Sequence, residues 1–368
     1  LEHKTDILSK SLDEIKRDLI SMGEKSFRGE QIYEWLYKKG VTSFHEMTNL
    51  PQTLILKLES QYSIGTLRLL KRLISKDRHT IKYLYLLGDN NIIECVVMKY
   101  HHGNTLCLST QVGCAMGCSF CASGAGGLIR NLSVGEMTAQ LLKTDRDISE
   151  LGWGRITGMV LMGSGEPLDN YDNTLEFLHQ IHNPKGFNMG WRSITLSTCG
   201  MVPKIRLLAD EGISINLAVS LHASNDEMRR RIMRIANVYS IKDVIEASRY
   251  YFEKTGRRVT FEYALIQDEN DKPEHAEELA YILREFPCHV NLIPLNENMH
   301  SSSKRSRIQV INKFESVLKS AGISVTRRRE MGLDIQGACG QLKASFLNGT
   351  ADFKTEEAES SNGKYQRI

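Results

Sequence analysis

The chain has 368 residues, 41% of them hydrophobic and 25% charged, with a net charge of +3. That balance excludes a disordered chain, and no apolar run approaches the roughly 18 residues of a membrane-spanning helix. Residues 1–12 are polar and lack a signal-peptide core, and no lipidation box closes the sequence, so the expected setting is the cytoplasm, away from membranes.

Residues 1–64 read as a small helical domain, because Leu12, Ile15 and Leu19, and later Ile32, Trp35 and Leu36, recur at helical spacing. Pro51 stands where a first helical turn can begin, with Asn49 ahead of it as a cap. Over residues 65–100 the text changes to alternation, as in Thr80, Lys82, Leu84 and in Ile92, Glu94, Val96. Asp89-Asn90-Asn91 is the turn signal between the two runs, and a β-hairpin linker is expected. Residues 101–347 repeat short apolar runs, at 106–109, 156–162, 194–197, 215–221, 259–265, 290–295 and 323–327. Helical stretches separate them, so the fold class is α/β, a partial (βα)6 barrel with a parallel sheet and crossover helices. Residues 348–368 are polar and aperiodic and are expected to form a disordered tail. Three basic runs, Arg229 to Arg231, Lys304 to Arg307 and Arg327 to Arg329, are either phosphate-reading forks or solvated edges.

Of eight cysteines, Cys95, Cys107, Cys114, Cys118 and Cys121 crowd into 27 residues, a distribution unlike a secreted disulfide framework. Cys114, Cys118 and Cys121 are spaced C-x3-C-x2-C directly after the first barrel strand. Three thiolates on a tight loop can hold three irons of a 4Fe–4S cluster and leave the fourth iron open. Structural zinc usually takes four ligands as two pairs, and no partner pair stands nearby in the sequence. Buried inert thiols are the bland alternative, and three within eight residues argue against it.

This spacing, with Phe120 before the last cysteine, resembles the motif of the radical S-adenosylmethionine (SAM) enzymes. In them the open iron chelates SAM, and one electron cleaves it to a 5′-deoxyadenosyl radical. Gly163-Ser164-Gly165-Glu166-Pro167, an ordinary turn if alone, matches the segment by which they hold the SAM amino group. Polar residues end further strands on the same rim: Ser197 on the third, Ser220 and His222 on the fourth, Asn296 on the sixth. Singly each would more often be structural; together they mark a site. Cys107 and Cys339 lie outside the cluster motif, and Ala338 and Gly340 give Cys339 the exposed setting that a reactive thiol needs. Cys95, Cys199 and Cys288 sit in apolar text and read as core.

Taken together, Phe27 to Ile32, Gly113 to Cys121, Met162 to Leu168, Ser197 to Gly200, Ser220-Leu221-His222, Asn291 to Pro294 and Ala338 to Leu342 resemble the RlmN family of dual-specificity 23S rRNA (adenine-2)-methyltransferases. The resemblance implies two SAM molecules per turnover, with Gly165, Glu166, Ser197, Ser220, Leu221, His222 and Asn296 contacting SAM. The first methylates Cys339; the second yields the radical that takes hydrogen from the S-methyl group, whose carbon then adds to C2 of an adenine. Cys107 attacks Cys339 to release the product, leaving a disulfide bond, and Glu94 matches the proton acceptor. Adenine C2 is electron-poor and has no lone pair, so a radical route suits it. Implied partners are 23S rRNA, some tRNAs and an electron donor such as flavodoxin, with the chain a monomer. Gln336-Gly337 and Arg234 depart from the family's usual residues.

Two enzyme alternatives and one non-enzyme remain open at this point. A Cfr-like enzyme would methylate C8 of the same adenosine, although Pro167 after the glutamate favours C2. A radical-SAM activase of another protein would need neither Cys107 nor Cys339. An RNA-binding module would hold structural zinc on the same thiols.

Overall fold

A computed structural model describes residues 4–298, 300–342 and 345–346. The expected tail at 348–368 lies outside the described residues. Three helices come first: α1 (Leu12–Ser21), α2 (Arg28–Tyr37) and α3 (Gln52–Gln61). Ser11 and Glu14 close a capping box that starts α1, and Leu12, Ile15 and Leu19 form its buried stripe. Asn49 is not the cap of α3. Pro51 occupies that position, and Asn49 instead accepts the indole N–H of Trp35 at 2.6 Å.

Three antiparallel strands follow, β1 (Arg68–Ile74), β2 (Thr80–Leu86) and β3 (Asn91–Tyr100). The hairpin read from the sequence is β2–β3, with Leu84 opposite Glu94 and Asn90 in a left-handed turn conformation. It is no separate linker, because β3 pairs with β4 (Gly103–Cys107) and so extends the barrel sheet. β1 was not expected: an edge strand rich in Lys and Arg and mostly exposed carries no alternation to read.

After β4, the short strands β5 (Gln111–Gly113) and β6 (Leu128–Asn131) pair across the three-cysteine loop. Then α4 (Val134–Glu150), β7 (Ile156–Leu161), α5 (Tyr171–His182), β8 (Ile194–Thr198), α6 (Val202–Asp210) and β9 (Asn216–Ser220) alternate. Next come α7 (Asp226–Ile232), α8 (Ile241–Thr255), β10 (Thr260–Leu265), α9 (Pro273–Leu283), β11 (His289–Pro294), α10 (Ile308–Ser320) and β12 (Ser324–Arg327). The sheet runs β12-β11-β10-β9-β8-β7-β4-β3-β2-β1, parallel from β12 to β4 and antiparallel beyond. Strand β13 (Ser345–Phe346) returns to pair with β3. Six βα units and a closing strand thus form an open barrel.

Strand alternation builds the site. On β10, Phe261, Tyr263 and Leu265 belong to the apolar core, whereas Glu262 and Ala264 line the central cavity. The N-terminal helices share that core. Tyr33 and Tyr37 hydroxyls donate to the Gln180 backbone and side-chain oxygens of α5, at 3.2 and 2.7 Å.

Candidate active site

Cys114, Cys118 and Cys121 follow β5 and line one cavity of about 930 Å3, open to solvent, at the C-terminal ends of the parallel strands. Backbone hydrogen bonds shape the loop: the Cys114 amide donates to the Gly127 carbonyl at 3.0 Å, and the Cys121 amide to the Cys118 carbonyl at 3.2 Å. Burial pushes the Cys114 thiol up to about 12 and raises Cys118 and Cys121 too; thiolate repulsion adds to it, from Cys121 at Cys114 and Cys118 and from Cys339 at Cys121. Among the described residues no three His, Cys, Asp or Glu side chains converge as ligands of one metal ion.

Gly165, Glu166, Ser197, Ser220, His222 and Asn296 line the same cavity. Leu221 does not; it is buried in the core, and its amide donates to the Glu262 carbonyl at 3.1 Å. Gly165 sits at φ +105°, and a Cβ there would lie 2.5 Å from the Gln111 side chain, so glycine is required. Glu166 accepts the amides of Cys199 at 2.7 Å and Leu168 at 3.1 Å, while burial pushes its carboxyl upward. His222 accepts the Ala264 amide on Nδ1 at 2.9 Å, which assigns the ring proton to Nε2. Its ring meets Phe120 edge-on, with centroids 4.9 Å apart. Burial, helped by the nearby Arg229 charge, pushes this imidazole down to about 3.

Cys339 lines the cavity and also an adjoining pocket, which it shares with Cys107 at the end of β4, Met98, Met162, Arg328 and Leu342. Both cysteines are free thiols. Burial first, then the neighbouring Cys339, push the Cys107 thiol upward against the pull of Arg328. Glu94 and Cys107 share a sheet face, since Val96 lies two residues from Glu94 and directly opposite Cys107. The segment carrying Cys339 is strapped to the cluster loop. Asn296 donates to the Cys339 carbonyl at 3.0 Å, the Ala122 amide to the Gly340 carbonyl at 2.9 Å, and the Ser123 hydroxyl to the Leu342 carbonyl at 2.6 Å.

Residues 108–280 match the radical SAM superfamily, and residues 5–64 match the ribosomal RNA large subunit methyltransferase N-terminal domain. The chain is 54% identical over 344 residues to the probable dual-specificity RNA methyltransferase RlmN of Alkaliphilus oremlandii, across 94% of this chain and 99% of that one. It is 50% identical over 345 residues to the protein of the same description from Clostridium tetani, across 94% and 97%. The chain belongs to the RlmN family of radical SAM enzymes. A radical SAM methyltransferase from Sphaerobacter thermophilus has the same fold, with a TM-score of 0.89 and 43% identity over 92% of this chain and 99% of that one.

The cofactors of an RlmN-family enzyme are a 4Fe–4S cluster and SAM. The donors fit: three thiols face one cavity, and the polar rim of the strands completes its wall. Sequence reasoning missed four residues here. Cys199, read as core, lines the cavity and holds Glu166 through its amide. Glu262 projects from β10 into the cavity, and Arg328 lies 3.8 Å from its carboxylate and 3.5 Å from the Met162 sulfur. Lys82 on β2 sits 2.9 Å from Glu94. The available signal was a charge inside an otherwise apolar strand, as Lys82 in Thr80–Leu86 and Glu262 in Thr260–Leu265. The basic runs divide. Arg229 is fully buried and donates to the Cys199 carbonyl, with Arg230 and Arg231 exposed; Arg328 lines the cavity, while Arg327 pairs with Glu315. Neither of these two runs presents three forks to one ligand.

Proposed function

We propose that this enzyme methylates C2 of adenosine in the peptidyl-transferase region of 23S rRNA and in some tRNAs, through S-methyl-Cys339. The observation that carries the reading is the shared pocket of Cys107 and Cys339 beside the three-thiol cavity. A 4Fe–4S cluster on Cys114, Cys118 and Cys121, with SAM bound, supplies a 5′-deoxyadenosyl radical as hydrogen abstractor. Gly165, Glu166, Ser197, Ser220, His222 and Asn296, which line that cavity, orient SAM along the rim. The Cys339 thiolate would attack the methyl carbon of one SAM molecule, displacing S-adenosylhomocysteine and becoming a thioether. Once a hydrogen atom is taken from that thioether, its carbon would bond to adenine C2, Glu94 would accept the C2 proton, and the surplus electron of the adduct radical would return to the oxidised 4Fe–4S cluster held by the three thiols. The Cys107 thiolate would then attack the Cys339 sulfur; the S–CH2 bond breaks with its electron pair on carbon, that carbon takes a proton to become the methyl group, and a Cys107–Cys339 disulfide remains.

A reducing cytoplasm suits an enzyme whose two free thiols must be regenerated each turnover, and a small flavoprotein such as flavodoxin is the electron donor. The protein acts as a monomer. Among the described residues no helix is long and apolar enough to cross a membrane. The adenine must leave its stack to reach the cavity, so single-stranded or partly unfolded RNA is the substrate form. The test is mass spectrometry of a 23S rRNA fragment treated with reconstituted enzyme and SAM. 2-Methyladenosine is expected; 8-methyladenosine or unmodified RNA overturns the reading.

A further inference from the structure

The face of β2, β3 and β4 that carries Lys82, Glu94, Val96, Met98 and Cys107 is covered by the segment leading to Cys339. Three contacts fasten this segment to the sheet. The Lys76 amide donates to the Asp334 carboxylate at 2.8 Å. Gly332, at φ +68°, approaches Thr80 so closely that a Cβ would lie 2.7 Å from its methyl group. Lys82 makes the third: its ammonium is 2.9 Å from the Glu94 carboxylate and donates to the Gln336 carbonyl at 3.1 Å. Lys82 and Glu94 side chains are each 6% exposed. Gln336 holds φ +52°, a left-handed conformation costly for glutamine and one that outside support must maintain.

From this geometry we infer that Lys82 is a positioning residue, a latch that holds the Cys339 loop over the sheet while Glu94 is charged and loosens it once Glu94 is protonated. The inference rests on the proton-acceptor role proposed for Glu94. A nearly dry ammonium is stable only beside its counter-charge. When the C2 proton converts the Glu94 carboxylate to the neutral acid, Lys82 must turn toward water and gives up the Gln336 carbonyl. The loop is thereby freed at the stage when Cys339 must part from the base. Among the described residues, the charged and titratable groups that flank this face are Cys95 on the strand of Glu94, Cys107 on β4, and Arg328, Arg329, Glu330, Asp334 and Cys339 from the covering segment.

The test compares the full-length reconstituted enzyme with Lys82→Met, Lys82→Arg and Glu94→Gln. The first readout is the pH profile of single-turnover product release from a 23S rRNA fragment. Removing a cation beside a carboxylate makes it hold its proton more tightly, so the accepting form appears only at higher pH. The rising limb of Lys82→Met should therefore move up by about one to three pH units, and Lys82→Arg should bring it most of the way back. The second readout needs no RNA: hydrogen exchange of the 332–342 backbone, corrected for intrinsic rate. Exchange should quicken in Lys82→Met and in Glu94→Gln, which mimics the protonated acid, but not in Lys82→Arg. A Lys82→Met profile that superposes on wild type overturns the latch. Should wild type yield no methylated adenosine, the proposed function fails and hydrogen exchange alone decides, unchanged protection in both variants overturning the latch. If Lys82→Met does not fold, Glu94→Gln and Lys82→Arg carry the same test.

Discussion

His222 lies at the end of β9, buried, with Nδ1 committed to the Ala264 amide, and is held down to about 3. An unfolded histidine titrates near 6.5. Between those values the unfolded chain binds a proton that the folded chain refuses, so the contribution of neutral His222 is complete above pH 6.5 and is lost as pH falls below it. At one pH unit below the unfolded value the loss is about 1.4 kcal/mol. His222→Gln should remove that part of the acid sensitivity, which denaturant melts at pH 7.5 and 5.5 would measure. Equal pH dependence in variant and wild type would show that His222 is not a neutral buried group. At this scale the sequence was legible where spacing is local. Cys114, Cys118 and Cys121 declare themselves within eight residues, and Glu166 within a glycine-rich turn. Lys82, Glu262 and Arg328 acquire their roles from strand register and from a segment far along the chain, which local text does not encode.

Helix ends were read poorly: the one cap taken from the sequence, Asn49 for α3, gives way to Pro51, and two capping boxes went unread. Ser133 with Glu136 and Ser240 with Asp243 close capping boxes at the starts of α4 and α8, and both signatures stand in the sequence. The parallel strands were readable as apolar runs, whereas β1, exposed at the sheet edge, was not. The turn after β7 shows how an element's end becomes a site: Gly165 at φ +105° lets the chain pass within contact of Gln111, whose side-chain oxygen accepts the Glu166 amide at 2.8 Å. Gly165→Ala forces a Cβ into that contact and strains the backbone by about 1–3 kcal/mol. SAM affinity of the reconstituted variant should fall by about tenfold or more, as titration calorimetry would read. Undiminished affinity would mean that this turn does not shape the SAM site.

In the whole molecule, the helical N-terminus is part of the same body as the barrel. Its apolar residues join one continuous core, and Tyr33 and Tyr37 anchor it to α5. Arg130 ties the β2–β3 turn to α4, 2.6 Å from Asp89 and 2.8 Å from Glu136. A sequence reader sees three composition zones, because helices, alternating strands and βα repeats have different periods; burial across their boundaries has no period and stays hidden. One cooperative thermal transition is expected in calorimetry of the metal-free chain. Two resolved transitions, with the helices melting apart from the barrel, would contradict a shared core.

Cys107 and Cys339 share one pocket, and in the proposed reaction they have unequal jobs, one carrying the methyl group and the other releasing it. Cys339→Ala leaves nothing to accept the first methyl group. Cys107→Ala leaves methyl loading, radical formation and addition to adenine intact but removes the thiol that resolves the adduct. The decisive measurement is a denaturing gel of both variants after incubation with SAM, reductant and a 23S rRNA fragment. The expected result is a nuclease-sensitive protein–RNA band in Cys107→Ala and none in Cys339→Ala. A band in both variants, or in neither, would contradict the two-thiol mechanism.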